Sequence, residues 1–319
     1  MISKKIYNLI SPFVIPFSMP FDRKTYVIPD GTVFDGEVIK VDGDAVIGNS
    51  CSVDFGIEAE RFFAGERVKV KGNIKTKGDV RIDLFSSIEG DIICGGNAYI
   101  GEGTSIHGKL SLKGDLDVGD NVEITEGFEA KGWINIRSPI PFIIYVFLYL
   151  IELLKRGHSE EVERILQEME KDEMISISEK YLFLPNASVI GNEGIIQGSL
   201  QIGKNCKVKG NYKIKGNAFV GEDSTLIGSL KCSGNIILER KAIVEGNVEG
   251  NEIIIKKGCT IGGDVRGRKI EMQKDATIGG IIKATDGITF FDEKKKRMQK
   301  KVERFAEKVD VVDEVAELL

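Results

Sequence analysis

The chain has 319 residues, 42% of them hydrophobic and 29% charged, which suffices for one large or two ordinary domains with a real core. A formal net charge of −5 supplies no global basic field for nucleic acid. Five cysteines are an odd number and fall at small-residue positions of a repeat, so they read as core residues in a reducing cytoplasm rather than as a disulfide or zinc framework.

Residues 1–30 form an arm unlike the rest. Lys4 and Lys5 precede an apolar stretch interrupted by Pro12, Pro16 and Pro20. Prolines at that spacing break a helix, and the stretch lacks the unbroken apolar run and cleavage site of a signal peptide. Two readings stand: an extended arm packed on the protein, or a short membrane-touching segment using the lysines with Phe13 and Phe17.

Residues 31–137 carry a six-residue period. Val38, Ala45, Ile47, Cys51, Val53, Ile57 and Ala59 are expected to face inward in an irregular first coil. From Val68 the pattern is clean. Val70, Thr76, Ile82, Ile88, Cys94, Ile100, Ile106, Leu112, Val118, Ile124, Ala130 and Ile136 form one uncharged set, and the residue two before each forms another. Two inward residues around one outward residue make a short strand, with a turn after it. Gly78, Gly96, Gly114 and Gly132 recur every 18 residues, as do Gly72, Gly90 and Gly108. Three six-residue sides per coil predict a triangular parallel β-helix. The glycines are expected at corners whose backbone disfavours a β-carbon.

Residues 138–180 predict a helical hairpin. Ser138-Pro139 suits a helix start and Gly157 a helix end. Ile140 to Ile151, with Phe142, Phe147 and Tyr149, is apolar on every face. It is short for a membrane span, so it is read as a helix buried between domains or subunits, with lipid contact as the alternative. Ser159 caps a second helix with Val162, Leu166 and Met169 on one stripe and acidic residues elsewhere.

Residues 181–290 predict a second β-helix. Ile196, Ile202, Val208, Ile214, Val220, Leu226, Cys232, Leu238 and Val244 step by six, after which Val244, Ile261 and Ile278 step by 17. Residues 291–319 predict an amphipathic helix with Val302, Phe305, Val309 and Val312 on a coiled-coil seam, a candidate self-association surface.

The runs Ile88-Glu-Gly90-Asp-Ile92, Val244-Glu-Gly246-Asn-Val248 and Ile261-Gly-Gly263-Asp-Val265 resemble bactofilins, here as two tandem halves over about two thirds of the chain. The resemblance implies a right-handed triangular β-helix, assembly into filaments by end-to-end stacking, no nucleotide, and in some members a membrane-attaching N-terminal segment. Two β-helices with intervening and trailing helices depart from the usual single β-helix with disordered tails. The expected function is a non-catalytic scaffold that self-associates, at the inner face of the cell membrane in one version, without cofactor, metal, nucleic acid or small-molecule substrate. A non-polymerising adaptor is a further alternative.

The enzyme alternative is a left-handed β-helix acyltransferase, whose hexapeptides Ile100-Gly-Glu and Val220-Gly-Glu resemble. Such chemistry needs a histidine base. The chain has two histidines. His158 lies in the hairpin turn. His107 comes directly after inward Ile106, so it points outward and is a catalytic candidate only under this alternative.

Overall fold

The structure, a computed structural model, describes residues 24–136, 178 and 180–291. Among them every regular element is a strand, and the strands wind into a parallel β-solenoid. The expected hairpin and C-terminal helix, with Phe142, Phe147, Tyr149, Val302, Phe305, Val309 and Val312, lie outside the described residues, as do Phe13 and Phe17.

One coil shows how sequence makes shape. Val80–Ile82, Ser87–Ile88 and Ile92–Cys94 are three sides. Each stacks in register on the coils before and after: Val80 lies between Phe62 and Ala98, and Ile92 between Ile74 and Leu110. The alternate residues of each side turn inward, so identical phases form ladders, and Val80, Ile88, Ile92 and Ile106 are fully buried. Each such aliphatic contributes about 1.5–3 kcal/mol on burial. The expected inward phases hold from Val68 to Leu116 and from Ile196 to Val265. In the first coil the inward residue is Ile39, not Val38, because Val38–Lys40 is folded antiparallel onto Val33–Asp35 and Ile39 faces Phe34 there. At the outer end Phe128, Ile134 and Ile136 have the inward phase yet are exposed, since no further coil covers them among the described residues.

The reason for the periodic glycines differs from expectation. The left-handed corners fall at Gly31, Ser50, Arg67, Phe85, Gly103 and Asn121, and in the second half at Ala187, Asn205, Asp223, Lys241 and Gly258. Most of these corners carry a β-carbon. The glycines spaced by 18 are required by close approach instead. A β-carbon on Gly114 would lie 2.2 Å from Asn97 Oδ1 and 2.7 Å from the Gly96 carbonyl oxygen. The Asn97 oxygen is part of a ladder: Asp79 Oδ1 accepts from the Asn97 amide at 2.7 Å, Asn97 Oδ1 from the Asp115 amide at 2.8 Å, and Asp115 Oδ1 from the Trp133 amide at 2.8 Å. The Gly-Asp/Asn pair is thus one device. The acidic or amide side chain caps the next coil's backbone, and glycine makes room for it.

The two halves form one rod. The strand Thr25–Ile28 does not stack on its own half but pairs in parallel with Ser199–Ile202 of the second. Reciprocally, Tyr181–Leu184 pairs in parallel with Asp44–Ile47 of the first. The two exchanged strands meet antiparallel at Val27 and Phe183. The exchange continues one side further, where Val33 pairs with Lys207 and Val189 with Ser52. A pseudo-two-fold axis therefore crosses the seam. Both halves begin at the centre and grow outward, and a single buried core runs through both.

Candidate functional site

The solenoid offers three kinds of surface: its seam, its open ends and its sides. The seam is closed by matched contacts. Cys51 Sγ donates to the Pro185 carbonyl at 3.0 Å, and its counterpart Cys206 Sγ donates to the Pro29 carbonyl at 3.1 Å. The Asn49 amide donates to Asn186 Oδ1 at 2.9 Å, and the Lys204 amide to Asp30 Oδ1 at 2.7 Å. Asp44 is fully buried there and is held by Arg61 at 2.5 and 3.0 Å and by the Ser178 amide at 2.9 Å. The Asp44 carboxylate in turn holds the Arg61 guanidinium above its ordinary pKa.

The five cysteines are free and buried. Cys51, Cys206 and Cys259 occupy the same turn position as Ser86, Thr104 and Ser224. There Ser224 Oγ donates to the Gly203 carbonyl at 2.7 Å and Ser86 Oγ to the Gly65 carbonyl at 3.1 Å, while Cys259 Sγ donates to the Glu239 carbonyl at 2.9 Å. Burial pushes the Cys51 and Cys259 thiols up to about 11. Among the described residues no cluster of three His, Cys, Asp or Glu could hold a metal ion, and no helix is long and apolar enough to cross a membrane.

His107 is exposed, one residue beyond buried Ile106, with Nδ1 3.3 Å from the Ile88 carbonyl oxygen. No carboxylate orients it among the hydrogen bonds of the described residues, and it opens on the mixed Lys, Glu and Asp outer surface. The charges on that surface pair between coils, as in Lys75–Glu58 and Lys231–Glu249. Such exposed pairs contribute about 0–1 kcal/mol each.

The open ends are the outermost coils of both halves. Phe128–Ala130 and Ile134–Ile136 each have a strand on one side only among the described residues, as do Ile282–Ala284 and Ile288–Phe290. Trp133 is 85% exposed, Ile136 73% and Ile281 72%. A hollow of about 330 Å³ opens at the first end between Val118, Val122, Phe128, Ile134 and Ile136. Unpaired backbone edges beside apolar side chains are a template for another strand.

One surface escaped the sequence pattern. Val46, Phe63 and Phe183 sit between inward neighbours, so they point out of the solenoid, yet they are buried and cluster with Val27 and Tyr181. The signal was present: Ala45-Val46-Ile47, Phe62-Phe63-Ala64 and Leu182-Phe183-Leu184 break the apolar–charged alternation, as strands covered on both faces do.

Residues 188–289 match the bactofilin family, described as polymer-forming cytoskeletal proteins. No curated protein and no solved structure matches the chain. The match lies within the second half, and residues 25–136 repeat the same coil, ladder and seam contacts in the first. Residues 188–289 are thus similar to bactofilins, and a pseudo-two-fold seam joins them to a first half built on the same solenoid coil.

Proposed function

We propose that the chain is a non-catalytic, cytoplasmic scaffold unit that self-associates through its two outer coils. The observation that carries this reading is the pair of apolar ends whose strand edges, at Ile134–Ile136 and Ile288–Phe290, have no further strand on them among the described residues. The inner ends are already joined within one chain, so the outer ones remain for assembly. Each join is expected to be like with like, repeating the two-fold logic of the seam, because a closed two-fold contact needs only one self-complementary patch. Rods joined this way form a filament without polarity at the level of the fold. Membrane attachment by the arm, with Lys4, Lys5, Phe13 and Phe17, is a compatible extension resting on sequence alone.

Negative-stain microscopy with size-exclusion light scattering tests this. The intact chain is expected to give long oligomers or filaments. Ile136→Lys alone should stop growth at pairs joined through the other end, and Ile136→Lys with Phe290→Lys should give single chains. A monodisperse single chain at all concentrations overturns self-association, and single chains from Ile136→Lys alone overturn the like-with-like arrangement.

A further inference from the structure

One side of the rod is a single ladder from end to end. It runs from Ile134–Ile136 inward to Asp44–Ile47 and Tyr181–Leu184, crosses the seam to Thr25–Ile28 and Ser199–Ile202, and continues outward to Ile288–Phe290. Every pair in it is parallel except one: Thr25–Ile28 meets Tyr181–Leu184 antiparallel, with Val27 opposite Phe183. Each of these two is the third residue of its strand, so the pseudo-two-fold axis passes between equivalent positions on this side. The other two sides cross the seam by hairpins, Val33–Asp35 with Val38–Lys40 and Val189–Ile190 with Glu193–Ile196. This side alone joins the halves through strands distant in sequence.

The same side also ends each half. Among the described residues Ile134–Ile136 is the last strand of the first half and Ile288–Phe290 the last of the second. A coil climbs about 4.8 Å per turn, so its last side projects furthest along the rod, and two copies meeting end to end touch there first. We propose that each joint between chains repeats the seam on this side: Ile134–Ile136 pairs antiparallel with its own copy, centred on Asn135, and Ile288–Phe290 pairs antiparallel with its own copy, centred on Thr289. This joint presupposes the end-to-end self-association proposed above and fixes which side of the rod carries the axis. Side-chain direction sets the register. Centring on Asn135 places Ile134 opposite the partner's Ile136, apolar on apolar, with both on the core side. A slip of one residue sets isoleucine against asparagine across opposite faces of the sheet. The central residues suit self-pairing: both are exposed, the Asn135 amide donates and accepts, and the Thr289 hydroxyl does the same.

A filament joined this way has a distinct side. Every two-fold axis passes through the same side of the rod, so that side stays aligned across each joint; axes through different sides would turn successive rods against one another. In the second half this side carries an outward row, Phe219, Ile237 and Ile254, stacked in register and half-buried. The polymer presents that row in one direction along its length.

The test is disulfide trapping in the full-length chain, whose own cysteines are buried. Directly opposed residues of an antiparallel pair have Cα atoms about 4.5–5.5 Å apart, within the range a disulfide spans. On mild oxidation Asn135→Cys should convert most of the assembled chains to covalent pairs and nothing longer, and Thr289→Cys should do the same through the other end. The two substitutions in one chain should give a continuous covalent polymer on a non-reducing gel. Glu129→Cys, outward on another side of the first end, should give no pairs. Filaments seen by microscopy without pairs from either single variant overturn this joint and leave self-association standing. So do pairs from Glu129→Cys, or pairs that form only when Asn135→Cys and Thr289→Cys chains are mixed, the mark of a head-to-tail contact. Single chains throughout, with neither filaments nor pairs, overturn the joint and self-association together.

Discussion

The seam makes a prediction that a simple string of repeats would not. Ile28 belongs by sequence to the first half, but its strand lies in the second half's first coil, in register with Ile202, and both side chains are buried. Ile28→Ala removes three carbons, about 2.4 kcal/mol at ~0.8 kcal/mol each. Incomplete closure of the void adds a cavity term, and since stacked coils on both sides hold the backbone the total should fall near 3–4 kcal/mol, inside the about 2–5 kcal/mol range for such truncations. Urea unfolding monitored by far-ultraviolet circular dichroism reads the total. Hydrogen exchange with mass spectrometry reads its location: amides of Ser199–Val220 should lose protection although the mutated residue lies in the other half of the sequence. Gln201→Ala, on the outside of the same coil, should stay within about 0.5 kcal/mol. A loss under about 1 kcal/mol, or protection lost only in Asp44–Ala64, would refute the exchanged seam.

Gly114→Ala should destabilise the first half by about 2 kcal/mol or more, because the added carbon meets Asn97 Oδ1 and backbone in a stack of coils that cannot part; a melting temperature equal to the parent's would count against the close approach. Ser224→Ala should cost about 1–3 kcal/mol by orphaning the Gly203 carbonyl and the Cys206 amide, readable in the same urea titration. Ile100→Glu places a charge in the closed ladder and should prevent native folding, while His107→Ala should leave the melting temperature unchanged. Alkaline pH supplies an independent check. Burial raises the thiols of Cys51 and Cys259 to about 11 and raises Tyr26 as well. An acid whose folded pKa is raised favours the folded state while neutral, so this stability is fully present below the unfolded thiol pKa, near ~8.5, and is lost as pH climbs from there through about 11. Calorimetry should show a flat melting temperature to about pH 8.5 and a steady fall above it. Stability that rises across that window would contradict the burial of these groups.

The coil is written in the sequence. A solenoid's core is built from local ladders in which each residue meets the same phase one coil away, so the period and the buried identities appear directly in the letters, from Val68 to Leu116 and from Ile196 to Val265. The family motif was equally legible, although its cause was not. Gly96, Gly114 and Gly132 look like corner glycines until the structure shows the Asp or Asn oxygen of the previous coil pointing at each of them. The open ends could be anticipated because every solenoid has a last coil. Ile134 and Ile136 nonetheless carry the inward phase and read as core in sequence, because exposure depends on whether another coil lies beyond them in space. How the halves meet was settled only by tertiary contacts. Thr25–Ile28 and Tyr181–Leu184 satisfy any parallel neighbour with aliphatic ladders, and nothing local says that each pairs with the opposite half. That choice is made by long-range contacts: two matched turns, with Cys51 reaching Pro185 and Cys206 reaching Pro29, leave no unpaired edge at the centre when the strands are exchanged.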